Sequence, residues 1–298
     1  MKVFNGCENL EVDLVSYTKD IFEIALRFGA VTYHQNDVKN KENLKKFIFD
    51  KILNNKTSPK ILEAAHCAFV YKNISRINLA RLTRDNCGAI NSESSAIPVF
   101  NPDTGKIEKD YVEPNFIKPM SISADKELSD AYDDIVKAMQ KFNEICTKNF
   151  SITHADRRYA FLQGETISIG IEYNFRQFQG MLNHRLIPAI GDEDFIAAAK
   201  AYYALYNQIQ EDYKSGILTE ENYMLWTMLL KKALPKVFFV DEMIGDQFNQ
   251  GQKVVGDVPE NPIYSKEKCQ LYYELKRLLK ENPDMLEKIE FKEIAENL

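Results

Sequence analysis

The stretch TISIGIEYNFRQFQGMLNHRL, residues 166–186, constrains the fold more than any other. Ile171, Phe175, Phe178, Leu182 and Leu186 recur at steps of three and four, the spacing of one apolar helix face. That spacing predicts a helix across the whole stretch. On such a helix Asn174 and Arg185 fall near one line, because their separation closes on about three turns. Arg176 projects to nearly the opposite side. A helix that builds a core and also aims one Asn and two Arg in fixed directions is a candidate ligand holder. An amphipathic helix with ordinary surface arginines fits the same pattern. Gly180 costs about 1 kcal/mol of helix propensity against Ala, which points to a neighbouring helix or a flat ligand coming close there.

Composition narrows the function classes. The chain has 298 residues, 45% of them hydrophobic, enough for one large domain or two small ones. Net charge is −6, so general attraction to nucleic acid or to an anionic membrane is not expected, and any anion site must be local. Arg76, Arg81 and Arg84 make only a small basic patch. There is no run of about 18 apolar residues to span a membrane. The opening MKVFNGCENLEVDLV lacks the apolar segment of a signal peptide. The 5 cysteines are widely spaced and never CxxC, which reads as reduced thiols in a cytoplasmic protein. The 4 histidines form no metal-ligand pattern, so no metal is expected.

Along the chain, residues 1–15 read as an edge strand. Thr18 is placed to cap a helix over Ile21–Phe28, which Gly29 would end. Residues 44–53 read as a second helix and 54–59 as a turn. His66–Tyr71 reads as a buried strand and 74–84 as a helix. Residues 85–105 are rich in Asn, Ser, Gly and Pro and read as a long loop whose hydroxyls suit a phosphate or ribose. Residues 101–120, with Pro102, Pro114 and Pro119, read as a surface excursion. A helix from 126 to 148, started by Ser123 or Asp125, carries Leu128, Tyr132, Ile135, Met139, Phe142 and Cys146 as a core stripe. Further helices are expected over 195–213 and 219–233, the second holding Trp226. Residues 236–240 read as a strand, 245–262 as a linker and possible boundary, and 265–298 as a charged helix or helix pair.

Three segments, in this order, resemble the flavin-dependent thymidylate synthases. Residues 14–63 are similar to that family's amino-terminal half: a helix, Thr32-Tyr33, a helix, a TSP turn and Glu63. RLTRDNCGAINSESSA (81–96) stands where the family carries Arg-His-Arg, seven variable residues and Ser. RRYAFLQGET followed by NFRQFQGMLNHRL is similar to its segment of Arg, a run into Thr, then Asn-x-Arg, eight residues and Arg. The match has departures: Asp85 and Asn86 replace the signature His and second Arg, Ala96 replaces a later Arg, and Ser92 replaces a Glu.

The resemblance implies an α/β (α+β) fold, a mixed sheet flanked by helices. A catalytic domain would cover 1–215 and a helical extension 216–298. It implies FAD as cofactor, and methylation of dUMP at C5 with methylenetetrahydrofolate and NADPH. It also implies a homotetramer with active sites at subunit interfaces. Carried over residue by residue, Arg84, Asn174 and Arg176 would contact FAD. Arg81, Ser94, Arg157 and Arg185 would hold the nucleotide, with Ser94 against the reacting ring. Arg suits both tasks, since its planar fork of donors matches phosphate and an anionic flavin. Asp85 would either neutralise Arg84 or set a negative charge beside the flavin. Cys87 reads as an unreactive thiol. The alternatives are a relative that hydroxymethylates or otherwise modifies a pyrimidine nucleotide, and a non-catalytic nucleotide-binding or assembly protein.

Overall fold

The structure is a computed structural model. It describes residues 2–32, 59–85, 87–92, 99–101, 103, 106–109, 115–148, 156, 158–160, 162–186, 191–234, 254–255, 258–259 and 266–281. The expected helix over 44–53 and strand over 236–240 lie outside them.

In chain order the elements are β1 (Val3–Asn5), β2 (Glu11–Tyr17), α1 (Ile21–Thr32), a 3-10 turn (Pro59–Ala64), β3 (His66–Ser75) and α2 (Arg76–Leu82). Then come β4 (Ala89–Ser92), β5 (Val99–Asn101), β6 (Lys106–Lys109), β7 (Phe116–Lys118), a single helical turn at Met120–Ser123 and α3 (Lys126–Lys148). The rest are β8 (Thr166–Asn174), α4 (Phe175–Arg185), α5 (Asp192–Lys214), α6 (Glu220–Ala233), β9 (Val254–Val255), β10 (Val258–Pro259) and α7 (Lys266–Glu281).

The centre is a four-stranded antiparallel sheet in the order β2-β3-β8-β4. Its longest seam pairs His66 with Asn174 and Phe69 with Ile171. Along β8, Ile167, Ile169, Ile171 and Tyr173 are buried, while Thr166, Ser168, Gly170, Glu172 and Asn174 between them are half-buried. That is the period-2 alternation of a strand with one core face, and each buried side chain stabilises by about 1.5–3 kcal/mol. Against this face pack α4, α5 and α6, bringing Phe178, Leu182, Phe195, Leu205 and Trp226 into one core. A smaller cluster of Phe116, Val136 and Met139 joins β7 to α3.

The mixed α/β class expected from the sequence is what is observed. Several local expectations change. The predicted helix over 166–186 is a strand followed by a helix: 166–174 is β8, and only 175–185 is helical. Ile171 therefore belongs to the sheet. Asn174 sits at the N-cap of α4, where its side chain accepts from the Gln177 N–H at 2.9 Å and the Gln177 side chain accepts from the Asn174 N–H at 3.0 Å. This reciprocal box fixes the turn from strand to helix. Near Gly180, apart from the backbone of its own helix and its chain neighbours, no described atom comes within 4 Å of where a Cβ would stand, so no neighbouring helix makes the expected close approach.

Residues 89–92, expected as loop, pair with β8 as an edge strand. Thr18 does not cap α1; its hydroxyl accepts from the His66 N–H. The Phe22 N–H of α1 is instead satisfied by the Asn222 side chain of α6 at 2.8 Å. Gly29 does not end α1, which runs to Thr32. On α3 the expected core stripe divides: Met139 and Cys146 are buried, while Leu128, Ile135 and Phe142 face solvent.

Candidate functional site

The expected site residues among those described, Arg81, Arg84, Asn174, Arg176 and Arg185, lie on the junctions of α2 with β4 and of β8 with α4, and on the carboxyl end of α4. Ser75 starts α2 by accepting from the Asn78 N–H. The helix lasts two turns, so Arg81 sits in its last turn and Arg84 and Asp85 in the turn that follows. Gly191 precedes α5, whose first turn carries Asp192, Glu193 and Asp194, the acidic residues that a helix amino terminus favours.

These ends meet at Arg185. Its Nε and Nη2 donate to Asp85 Oδ2 at 3.2 and 3.0 Å, and Nη1 donates to Asp194 Oδ1 at 2.8 Å. Nη2 also donates to the Arg81 carbonyl at 2.7 Å. Asp194 takes a second ion pair from Arg81 Nη1. Arg185 is 8% exposed, and the side chains of Asp85 and Asp194 are almost wholly buried. Two arginines thus meet two aspartates, and the four charges cancel. His184 Nδ1 lies 3.7 Å from Asp85 Oδ1 at the exposed rim.

Beside this cluster, the Ser75 N–H donates to Glu193 Oε1 at 2.5 Å, and the Ser75 hydroxyl lies 2.6 Å from Oε2. Burial pushes the Glu193 carboxyl up to about 7, against the pull of the two Ser75 hydrogen bonds. Burial also raises the Cys87 thiol, in keeping with an unreactive cysteine.

The structure brings Arg81 and Arg185 together on Asp194. It gives them carboxylate partners that the sequence reading did not foresee. Asp85 faces Arg185 rather than Arg84. Arg84 is exposed and has no partner among the described residues. Arg176 is half-exposed and pairs with Glu63 at 2.7 Å. Asn174 uses its side-chain oxygen in the α4 cap and keeps its amide group as a donor. Ser94, Arg157, Asn86 and Ala96 lie outside the described residues.

The donor chemistry can be tested against the two expected ligands. Arg84, the Asn174 amide and the solvent-facing Arg176 suit the carbonyls and phosphates of a flavin nucleotide. Arg185 does not suit a phosphate in this arrangement. Four of its five N–H groups are engaged, and an incoming anion must displace Asp85 or Asp194. Among the described residues, no group of His, Cys, Asp and Glu is arranged to hold a metal ion. Nor is any described helix long and apolar enough to cross a membrane.

No curated protein matches the chain. Among solved structures, thymidylate synthase ThyX from Helicobacter pylori with FAD and dUMP aligns with a TM-score of 0.48 at 18% identity, over 74% of this chain and 99% of its own. A second Helicobacter pylori ThyX structure, also complexed with FAD and dUMP, gives 0.47 at 17% identity, over 67% and 96%. The UMP/dUMP methylase PolB from Streptomyces cacaoi, bound with 5-Br dUMP, gives 0.45 at 13% identity, over 76% and 97%. The profile of the thymidylate synthase complementing protein family matches residues 13–210, well over half the chain, and the chain belongs to that family, the flavin-dependent thymidylate synthases that its sequence resembles.

Proposed function

We propose that the chain is a flavin-dependent enzyme that methylates C5 of a pyrimidine deoxynucleotide, dUMP, with methylenetetrahydrofolate as carbon donor and NADPH as reductant. The family match over residues 13–210 carries this reading. Arg84, Asn174 and Arg176 hold FAD by donating to its polar edge. Arg81, Ser94, Arg157 and Arg185 serve the nucleotide, Ser94 lying against the pyrimidine, in a homotetramer whose subunits complete each site. When bound, the flavin supplies the hydride chemistry, and the protein supplies orientation and charge. For Arg185 to take the phosphate, Asp85 must first swing away. The site is thus closed to the anion until Arg185 is released.

The neutralised Arg185 favours a second reading. In it the protein modifies a pyrimidine nucleotide differently, or binds one without turning it over. Arg185 and Asp85 are then a fixed structural pair, and the phosphate is held elsewhere.

The deciding experiment is an absorbance spectrum of the purified protein with FAD, followed by titration with dUMP. Retained bands near about 370 and 450 nm that shift on adding dUMP support the enzyme reading. A further arm uses Asp85→Asn, which removes the competing charge. Tighter dUMP binding in that variant supports Arg185 as the phosphate ligand. Unchanged dUMP binding with flavin retained assigns Arg185 to structure. No flavin retained at any FAD concentration overturns the flavoenzyme reading.

A further inference from the structure

The core face of the central sheet holds two tyrosines whose hydroxyls have nothing to bond. Tyr71 on β3 and Tyr173 on β8 are each 0% exposed, yet neither hydroxyl has a hydrogen-bond partner among the described residues. Their rings pack on Phe69 at centroid distances of 6.1 and 6.4 Å, and Phe69 stacks on Phe178 of α4 at 5.3 Å. The two hydroxyls lie close to each other, without the geometry of a formed bond. A bond between them would still leave one donor unused. Phenylalanine would fill the same space with no orphaned group, so the hydroxyls serve nothing in the resting fold.

Beside them stands Asp85. Its N–H donates to the Leu82 carbonyl at 3.2 Å in the turn after α2. Three residues on, the Gly88 N–H donates to the Glu172 carbonyl at 2.8 Å, next to Tyr173. The chain thus passes from the end of α2 onto β8 at the level of this tyrosine. Burial raises the pKa of both hydroxyls, and the Asp85 carboxylate is among the charges that add to the rise. Both phenols therefore stay protonated and remain donors.

A phosphate on Arg185 displaces Asp85, whose side chain is only 7% exposed. The displaced carboxylate needs new donors, because an unpaired buried charge is strongly destabilising. Towards the rim its neighbour is His184, 3.7 Å from Oδ1. There the carboxylate would stand in the path of an incoming dianion and repel it. Away from the rim are the two tyrosine hydroxyls, and a carboxylate already buried meets little further desolvation on reaching them.

We propose that Tyr71 and Tyr173 are positioning residues that form a second seat for the Asp85 carboxylate, occupied when Arg185 turns to the phosphate of a nucleotide. The proposal rests on the reading of Arg185 as a phosphate ligand. At rest Asp85 accepts from Arg185 and the hydroxyls are orphaned. With nucleotide bound, Arg185 donates to the phosphate and the hydroxyls donate to Asp85. The anion site opens without leaving a bare charge.

The test is calorimetric titration of the full chain with dUMP, FAD present, together with the melting temperature of the nucleotide-free chain. The variants are Tyr71→Phe, Tyr173→Phe and both together, each with Asp85 in place and with Asp85→Ala. Alanine is chosen because an amide carbonyl would still accept from the hydroxyls, and Asp194 remains to hold Arg185. Without nucleotide, the Phe variants should melt at the wild-type temperature or above it, having lost only orphaned groups. With Asp85 in place, the double Phe variant should bind dUMP about tenfold more weakly. Asp85→Ala should bind dUMP more tightly, and in that background the Phe changes should have no effect. Phe variants that bind as wild type, while Asp85→Ala tightens binding, overturn the seat and leave the Arg185 reading standing. A loss that persists with Asp85→Ala also overturns it, since the hydroxyls would then touch the nucleotide themselves. So does a lower melting temperature of the Phe variants, which would show the hydroxyls bonded at rest. Unchanged affinity in Asp85→Ala, or a wild-type chain that binds no dUMP, overturns the Arg185 reading and the seat with it.

Discussion

Arg185 owes its burial to two carboxylates, and that decides what its removal does. Arg185→Ala leaves Asp85 and Asp194 buried with one charge partner fewer between them. Breaking such a pair costs about 3–5 kcal/mol. The expected result is a large drop in the urea midpoint, alongside the loss of nucleotide binding that the proposed phosphate role of Arg185 requires. A loss of under about 1 kcal/mol would show that the network does not form in solution. Glu193 gives a second prediction at this scale. Its folded value of about 7 lies above the ordinary 4.5, so the folded chain holds a proton that the unfolded chain has released. The stability tied to that proton is full below pH 4.5 and is lost as pH rises through about 7, roughly 3 kcal/mol in all. Glu193→Gln stays neutral and should flatten this part of the stability–pH curve, measured by urea unfolding on either side of the window. The cations of the site were legible in the sequence because their spacing follows a family pattern. The carboxylates were not. Asp85 lies 100 residues from Arg185 and Asp194 lies 113 from Arg81, and only the packed ends of α2, α4 and α5 bring them together.

At the level of elements, the β8–α4 junction shows where pattern reading goes astray. Ile171 stands four residues before Phe175 and so extends the helical stripe by coincidence. The stronger signal was strict alternation: Ile167, Ile169, Ile171 and Tyr173 between Thr166, Ser168, Gly170 and Glu172. A switch from period 2 to period 3.6 at Asn174, with a cap residue there and Gln three positions on, marks a strand entering a helix. The expected helices at 126–148, 195–213 and 219–233 matched the observed α3, α5 and α6 because their apolar spacing is unbroken over long runs. Reading all of the α3 stripe as core failed for a different reason: periodicity reports that a face is apolar, not what covers it. Gly180 supplies the prediction here. With open space about its Cα in the described structure, Gly180→Ala should raise stability by up to about 1 kcal/mol through helix propensity alone. The melting temperature of the variant checks this, and a decrease would mean that another surface packs there.

Over the whole molecule, the described helices after residue 215, α6 and α7, enter the same core as the segments before it. The Trp226 ring meets Tyr17 and Phe175 edge-on, at centroid distances of 5.8 and 5.7 Å. Asn222 caps α1, and Tyr272 and Leu275 of α7 are buried against α5. Lys200 ties three regions, donating to the Leu10 carbonyl and pairing with Glu267, each at 2.6 Å. Deleting residues 216–298 should therefore give a chain that fails to fold, with proteolysis and circular dichroism as the readout. Trp226→Ala in the full chain should cost about 3–5 kcal/mol. A truncated chain that melts cooperatively would make the carboxyl-terminal part an independent unit.

Trp226 is the only tryptophan in the chain. Its indole N–H donates to the Thr18 carbonyl, a partner 208 residues away along the chain. Contacts of such separation form late and slowly, because a large loop must close before they are gained. Emission from this one fluorophore therefore times a single event in refolding: the arrival of α6 on the edge formed by β2 and the start of α1. Far-ultraviolet signals from α3 and α5, which form within local sequence, should recover ahead of it.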